Sequence, residues 1–382
     1  MLSKTIFFKN FKKSKTSKKI KISLKNILSK KSELINSLSN QYKDSYNIKK
    51  IKKNFDVRII GMGGSVLGAK AIYHLLQKKI SKKFYFLDNL QNKFEFDYKK
   101  RYLNLIISKS GNTLETISNA NIFIKKKDKN IFITENKNSY ILSLAKKLKS
   151  EIIHHNNYIG GRYAVLSEVG MLPAELMGLN PAKFRQLNNL VKNKRFMNLL
   201  IANVNSIISM LKKGKSNSII LNYDPKLKNF LEWYKQLVGE SLGKNGKGLL
   251  PVISEMPKDN HSVMQLYLDG FKNNFYTFFS CEEKNSNKLN KENLLPSHKY
   301  LGFHTLNEII LRQKKATENV FSKKKIPFRS FEIIKLDEKT IGELFIFFIL
   351  ETILLGSVLK VNPYDQPAVE SIKKETKKFL KF

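Results

Sequence analysis

Short apolar runs alternate with helix-compatible runs along most of the chain, and this alternation constrains the possible folds more than any other feature. Val57–Ile60, Phe84–Leu87, Leu103–Ile107 and Ile131–Ile133 have the composition of buried strands, and helical patterns separate them. A βαβα succession favours a parallel sheet, because each return to a parallel neighbour needs a crossover helix that covers one face. The pattern therefore predicts an α/β fold with helices on both faces of the sheet.

A second alternation of the same kind follows in the other half of the chain. Strands are predicted at Ser218–Leu221, Leu249–Val252, Phe275–Phe279 and Ile333–Lys335, again with helices between them. We therefore predict two doubly wound units, each a parallel sheet flanked by helices. The predicted division is residues 1–54 as a basic N-terminal arm or helices, 55–185 as the first domain, and 186–382 as the second domain with a C-terminal helix.

The chain has a formal net charge of +39 over 382 residues, which raises the question of a nucleic-acid or membrane partner. Lysine is spread over nearly the whole chain and accompanies abundant asparagine and isoleucine, three residues with AT-rich codons. Biased genomic composition therefore explains the charge, and lysine predominates over the arginine that base recognition usually uses. We expect no specific nucleic-acid partner, with weak adhesion to polyanions at low salt as the alternative.

Targeting and membrane signals are weak in this sequence. Residues 1–32 lack acidic residues, as transit peptides do, but no arginine precedes Arg58. The most apolar run, Leu344–Leu359, is shorter than the roughly 20 residues of a membrane span and is predicted to be a buried helix. The single cysteine, Cys281, excludes an intramolecular disulfide and fits a reducing compartment. We expect a cytoplasmic protein that does not associate with membranes.

A glycine-rich turn, Gly61-Met-Gly-Gly-Ser-Val-Leu-Gly68, follows the first predicted strand. It lacks the third glycine of the dinucleotide-binding pattern. Its glycines would let the backbone approach a ligand closely, and Ser65 could bond a hydroxyl or a phosphate. The alternative is a tight βα turn that binds nothing.

A hydroxyl-rich segment, Ser108-Lys-Ser-Gly-Asn-Thr113, lies between a predicted strand and a predicted helix. A loop at this place directs backbone N–H groups and the positive end of a helix dipole at a bound anion. Ser108, Ser110 and Thr113 add hydroxyl donors, Lys109 can add a charge, and Gly111 permits close approach. Because ligands of doubly wound sheets bind at the carboxyl ends of strands, this loop and the glycine-rich turn predict a phosphate site. The alternative is a capped Ser/Thr-rich turn.

Three further segments contain side chains suited to proton transfer. Arg162 follows two glycines and could stabilise a developing enolate, or simply form an ion pair. Glu240 ends an amphipathic helix beside a cationic loop and could be a general base, or a solvated surface charge. His261 could transfer protons near neutral pH, or cap or pack a helix. Gln366 and Lys373 lie about two turns apart in the last predicted helix, so both could reach one site. The alternative is that this segment only caps the helix and that its lysines are solvated.

The order and content of these segments resemble the glucose-6-phosphate isomerase family, over a match that runs from about Val57 to Phe379. Glu240–Gly248 (ESLGKNGKG) and Asn362–Glu370 (NPYDQPAVE) are similar in form to the corresponding segments of bacterial members. Gly61–Ser65 is similar to the family's GIGGS turn, Ser108–Thr116 to its phosphate loop, Gly160–Arg162 to its GGR segment, Gln236–Gly243 to its QL-x-x-ES segment, His261–Leu266 to its HSxxQL segment, and Asn362–Lys373 to its NP(F/Y)DQPxVE…K terminus.

The resemblance implies two sugar-isomerase (SIS) domains and the reversible conversion of glucose 6-phosphate to fructose 6-phosphate without a cofactor or a metal. It assigns Glu240 the proton transfer between C2 and C1 through a cis-enediol(ate), whose charge Arg162 stabilises. His261, assisted by Lys373, would open the pyranose ring. It further implies a homodimer in which His261 reaches into the partner subunit's site. The implied substrate-binding residues are Gly64, Ser65, Ser108, Lys109, Ser110, Gly111, Asn112, Thr113, Gly161, Gln236 and Gln366.

The sequence departs from the family pattern in ways that leave alternatives open. Gly239 replaces a bulkier residue beside Glu240, and the N-terminal region does not align. Relatives with a similar phosphate loop also accept mannose 6-phosphate, so a dual isomerase is one alternative. A non-catalytic sugar-phosphate sensor and a polyanion-binding protein are two others.

Overall fold

The computed structural model describes residues 2–12, 15–30, 32–51, 55–93, 100–125 and 128–381. Within these ranges the chain folds around two sheets. The strands are β1 (Ile6–Lys9), β2 (Asp56–Gly61), β3 (Phe84–Leu87), β4 (Tyr102–Ile107), β5 (Lys129–Thr134), β6 (Glu151–His154), β7 (Asn217–Asn222), β8 (Leu250–Glu255), β9 (Asn274–Cys281) and β10 (Phe328–Ile333).

Helices connect and cover these strands. They are α1 (Lys18–Ser29), α2 (Glu33–Ser37), α3 (Leu67–Leu75), α4 (Leu114–Phe123), α5 (Tyr140–Lys147), α6 (Glu168–Leu176), α7 (Pro181–Phe184), α8 (Leu187–Lys192), α9 (Lys194–Leu211), α10 (Lys228–Leu242), α11 (Met264–Asp269), α12 (Leu306–Lys323), α13 (Glu338–Leu359) and α14 (Val369–Phe379). Short 3₁₀ turns at Gly63–Ser65, Gly161–Leu166 and Lys258–His261 matter for the site below.

The first sheet has the strand order β3-β2-β4-β5-β6, and every described neighbouring pair is parallel. All six residues of β4 are buried, as expected for a strand covered by helices on both faces. The predicted parallel α/β sheet is confirmed here. The sequence analysis did not identify β6. This short strand begins with Glu151 and ends with His154, so it contains only two apolar residues and gives no clear apolar run.

The second sheet has the order β1-β10-β9-β7-β8, in which β1 alone is antiparallel to its neighbour among the described strands. The expectation of an N-terminal arm or helices over residues 1–54 therefore missed a strand. In β1, Ile6 and Phe8 are buried while Phe7 is exposed, the alternation of an edge strand on a core. A four-residue strand among lysines is too short to give a clear periodic signal. The boundaries at residues 54 and 185 remain predictions.

The last strand of the second sheet begins earlier than predicted. β10 spans Phe328–Ile333 rather than Ile333–Lys335. It contains Arg329, a residue that argues against a buried strand in sequence, yet this arginine is fully buried and hydrogen-bonded to Glu351, Asn203 and Thr277. The charge is tolerated in the core because its partners lie on α13, α9 and β9, which sequence reasoning cannot bring together.

The largest of three hydrophobic clusters in the described chain includes residues of both sheets and of α3, α6, α10 and α13. The helix α13 has the length and composition to cross a membrane, but most of it is buried inside the protein, as predicted for its apolar run. The core fixes α10 against α3 and the 3₁₀ turn Gly161–Leu166, and it thereby sets the position of the side chains described next.

Candidate active site

The glycine-rich turn and the hydroxyl-rich loop lie side by side at the carboxyl edge of the first sheet. β2 and β4 are parallel neighbours, and their last residues, Gly61 and Ile107, are register partners. The turn Gly63–Ser65 follows β2 directly, and the loop of residues 108–113 follows β4. The structure thus brings together the two segments that the sequence analysis expected at strand ends.

Internal hydrogen bonds shape the loop of residues 108–113, and the backbone N–H groups at the start of α4 have no side-chain cap. The Ser108 hydroxyl donates to Thr113 Oγ1 at 3.2 Å, and the Asn112 backbone N–H donates to Ser110 Oγ at 3.3 Å. Gly111 has φ +66°, and a Cβ there would lie 2.1 Å from Ser139 Oγ, so only glycine fits. Thr113 caps α4 without a side-chain bond to its first N–H groups, which remain available to an anion.

Lys109 is engaged by protein groups. Its ammonium donates to the Asn157 carbonyl at 2.8 Å and lies 3.5 Å from Glu135 Oε1. The backbone carbonyl of Lys109 accepts from the Glu135 N–H at 3.2 Å. These contacts fix the loop against the end of β5, and they reduce the positive charge that Lys109 presents.

Two glycines bring the turns of residues 63–65 and 161–166 into backbone contact. A Cβ on Gly64 would lie 2.1 Å from the carbonyl carbon of Gly161. Any side chain at position 64 would force the two turns apart. The same Cβ would lie 2.4 Å from the backbone nitrogen of Arg162, whose side chain is only 2% exposed.

Arg162 is the centre of the site. Its NH1 donates to Glu240 Oε2 at 3.0 Å and to Gln366 Oε1 at 2.7 Å. Its Nε donates to Ser241 Oγ at 2.8 Å, and its NH2 donates to the carbonyls of Pro363 and Asp365 at 2.8 and 2.9 Å. The guanidinium therefore links the turn Gly161–Leu166 to α10 and to the segment before α14.

Glu240 is a partly exposed carboxylate with two fixed neighbours rather than a solvated surface charge. Its side chain is 34% exposed, Oε2 accepts from Arg162, and Oε1 accepts from Gln236 Nε2 at 2.9 Å. Gln236 and Glu240 lie one turn apart on α10 and so share a face. Within the described residues, Gln236 Oε1 is buried and has no hydrogen-bond donor.

Sequence reasoning missed several residues that hold this cluster. Trp233 donates from Nε1 to the Arg162 carbonyl at 3.1 Å, and Tyr163 donates to the Pro363 carbonyl at 3.0 Å. Burial raises the pKa of Tyr163 to about 12, so its hydroxyl stays protonated and remains a donor. Lys244 lies 3.0 Å from Asp365 Oδ1 and lowers the pKa of that carboxyl. Adjacency in sequence was the one signal for three of these residues: Ser241 follows Glu240, Tyr163 follows Arg162, and Asp365 precedes Gln366.

His261 and Lys373 do not join the cluster within one chain. His261 is exposed at the end of the turn Lys258–His261, beyond the edge strand β8. Lys373 is exposed on α14, a helix without buried residues, and pairs with Glu370 at 2.6 Å. In the described part of the chain, neither has a contact with Glu240 or Arg162, and no group of three or more His, Cys, Asp or Glu side chains is arranged to hold a metal ion.

Two largely parallel sheets with a hydroxyl-rich loop at their strand ends, beside a carboxylate paired with a buried guanidinium, define the class of phosphosugar isomerases. The family model of phosphoglucose isomerase matches residues 13–250. The chain is 34% identical over 343 residues to the glucose-6-phosphate isomerase of Methanocaldococcus jannaschii, covering 84% of this chain and 82% of that one. It is 32% identical to the same enzyme of Acholeplasma laidlawii, over 88% and 85% of the two chains. The chain belongs to the phosphoglucose isomerase family.

Solved structures share the fold. A hypothetical protein from Thermus thermophilus superposes with a TM-score of 0.83 at 22% identity, over 94% of both chains. A glucose-6-phosphate isomerase from Chlamydia trachomatis superposes with a TM-score of 0.69 at 19% identity, over 95% of this chain and 73% of that one. The prediction of an α/β fold of SIS type is therefore confirmed.

Proposed function

We propose that this protein interconverts glucose 6-phosphate and fructose 6-phosphate by ring opening and proton transfer, without a cofactor, as a cytoplasmic enzyme of glycolysis and gluconeogenesis. The observation that carries the proposal is the contact of Glu240 with Arg162 beside the hydroxyl-rich loop. Family membership and the names of the relatives support the substrate pair.

Glu240 is the base that moves the proton between C2 and C1. A proton α to a carbonyl is weakly acidic, so its removal needs a placed base together with a fixed positive charge on the developing oxyanion. Glu240 is 34% exposed and so can face a substrate. All five N–H groups of Arg162 donate to protein acceptors, so NH1 exchanges its bond to Glu240 or Gln366 for one to the substrate oxyanion, while the remaining bonds hold the guanidinium in place. The intermediate is a cis-enediol(ate).

The substrate is bound with its phosphate on the loop of residues 108–113 and its sugar toward the glycine turn. The hydroxyls of Ser108, Ser110 and Thr113 and the first N–H groups of α4 supply the donors. Gln236 lines the sugar, and its buried Oε1, which has no donor among the described residues, gains a partner if the side chain turns toward a sugar hydroxyl. Lys109 adds its charge when the phosphate replaces the Asn157 carbonyl as its partner. Gly64, Ser65, Gly161 and Gln366 line the remaining sides, with Gln366 assisting the phosphate.

Ring opening uses His261 of a second subunit, assisted by Lys373. The exposure of His261 and its lack of contact with Glu240 within one described chain support a site completed in a homodimer. Large exposed apolar side chains, which in a monomer would contact water, support the same assembly: Leu295, Tyr300, Phe303, Ile372 and Phe379.

A Glu240→Gln variant tests the proton transfer. We expect kcat to fall by about 10²–10⁴, because the amide cannot accept the proton, while binding of sorbitol 6-phosphate, which lacks a carbonyl, persists. The matched control is Glu232→Gln on the same helix, where the carboxylate pairs with Lys235, and its activity should be unchanged. A coupled assay on glucose 6-phosphate and mannose 6-phosphate measures both activities. Wild-type turnover in Glu240→Gln would contradict the proposal. If the wild-type protein converts mannose 6-phosphate at a rate comparable to that for glucose 6-phosphate, the substrate class is wider than proposed.

Mixing two inactive variants tests the shared site. In a heterodimer of Glu240→Gln and His261→Asn chains, one site contains both an intact Glu240 and an intact partner His261. If the histidine acts across the interface, random subunit exchange restores about a quarter of wild-type activity. Unmixed variants are the controls, and a mixture that stays inactive after proven exchange would refute the cross-subunit role.

A further inference from the structure

A cavity of about 690 Å³ lies at the amino-terminal edge of the second sheet, away from the strand ends that bear ligands in such folds. It is bounded by the segment after β1, the carboxyl-terminal half of α9, and the link between α12 and β10. It shares no described residue with the candidate active site. Its volume is that of a small-molecule pocket.

Lysines supply six of the sixteen residues that line this cavity, and none of the described lining residues carries a carboxylate. Lys9 lies 3.8 Å from Glu318 and 5.0 Å from the Phe328 ring centroid. Lys215 donates to the Lys272 carbonyl. In the described ranges, the ammonium groups of the other four have no protein partner. The six are Lys9, Lys12, Lys15, Lys213, Lys215 and Lys325.

The positive charges of this cavity repel one another. The pKa of Lys215 is lowered, first by desolvation and then by the neighbouring Lys213 and Lys272. Some lysines elsewhere in the chain, for example Lys70 with Asp88, pair with carboxylates. A bound polyanion would relieve the repulsion here, and ammonium groups are effective phosphate ligands.

The cavity also has an apolar wall. Phe11, Met210, Ile326, Pro327 and Phe328 line it, and Asn205, Ser206, Ser209 and Ser322 add neutral polar groups. An inorganic anion would leave this wall in contact with water, whereas a ligand with a ring would cover it. We propose that this cavity binds an organic polyphosphate of nucleotide size, with its phosphates on the lysines and its ring against the apolar wall.

Titration calorimetry of the full chain with ATP at 0.15 M salt tests this site. We expect ATP to bind more tightly than inorganic tripolyphosphate, because the ring covers apolar surface. In the double variant Lys213→Glu/Lys325→Glu, the Kd for ATP should rise at least about tenfold, because two attractions become repulsions. The matched control, Lys146→Glu/Lys147→Glu on α5, makes the same charge change on an exposed helix and should leave the Kd unchanged. Thermal midpoints verify that the variants fold.

Other results would overturn the proposal. Absence of ATP binding to the wild-type chain excludes the site. An equal loss in the α5 control would mean attraction by net charge alone. A loss in a Ser108→Ala variant would mean that ATP binds at the loop of the candidate active site. Equal affinity for tripolyphosphate would remove the role of the apolar wall. Tighter binding of a single-stranded oligonucleotide, abolished by the same double variant, would make the surface a nucleic-acid site.

Discussion

Replacing Arg162 by lysine keeps the charge of the site and removes the fork of donors. The guanidinium makes five hydrogen bonds from three nitrogens, and it is almost fully buried. A lysine ammonium has three donors on one nitrogen, so at least two acceptors lose their partner. The Pro363 carbonyl also accepts from Tyr163, whereas in the described part of the chain the Asp365 carbonyl and Gln366 Oε1 accept from Arg162 alone.

The loss of unfolding free energy can be worked out from these lost bonds. Hydrogen bonds to charged groups contribute about 1.5–3 kcal/mol each, so losing two costs about 3 kcal/mol or more of unfolding free energy. Against a total of about 5–15 kcal/mol, this is a large fraction. Catalysis should suffer as well, because the fixed donors at the developing oxyanion move; kcat/KM should fall by about 10²–10³.

Thermal unfolding and the coupled isomerase assay measure the two effects in Arg162→Lys. The control is Arg312→Lys, an exposed position on α12, where both quantities should stay at wild-type values. A thermal midpoint and a kcat/KM for Arg162→Lys that both equal those of the wild type would refute the assignment of Arg162 as the residue that joins the site.

Two further outcomes are expected. Gly64→Ala should abolish activity in the coupled assay, because its Cβ would lie 2.1 Å from the Gly161 carbonyl carbon. The control, Gly239→Ala, has no atom within 4 Å of its Cβ, so it should stay active and gain about 0.5–1 kcal/mol of helix stability. An active Gly64→Ala variant would contradict the close contact. Burial lowers the pKa of His155 to about 4. As the pH falls below about 6.5, His155 is therefore protonated in the unfolded chain before it is protonated in the folded protein. The free energy of unfolding then declines toward pH 4 by up to about 1.4 kcal/mol per pH unit. His155→Asn should lose less stability between pH 6.5 and 5.5 than the wild type in thermal melts, while the exposed control His298→Asn should behave as the wild type, and equal slopes in all three would rule out this histidine as the cause.

Local pattern was enough for most elements of the fold. α10 (Lys228–Leu242) is amphipathic and ends close to Glu240, as the sequence predicts, and β2 to β5 coincide with the predicted apolar runs. The pattern failed where tertiary partners decide the outcome. β1 is stable because β10 pairs with it, and β10 accommodates Arg329 because α13 supplies Glu351.

The sequence by itself determined the α/β class, the family and the hydroxyl-rich loop, because each depends on patterns of residues that are close along the chain. The requirement for glycine at position 111 comes from Ser139, which the fold brings against it. Only the tertiary structure decided that Arg162 would contact Glu240 and Gln366, which are 78 and 204 positions away. It also decided that six lysines from three distant segments would surround one cavity. The physical reason is that short-range periodicity encodes helices and strands, whereas the packing of distant elements, such as α10 against α3, α13 and β8, sets which side chains meet.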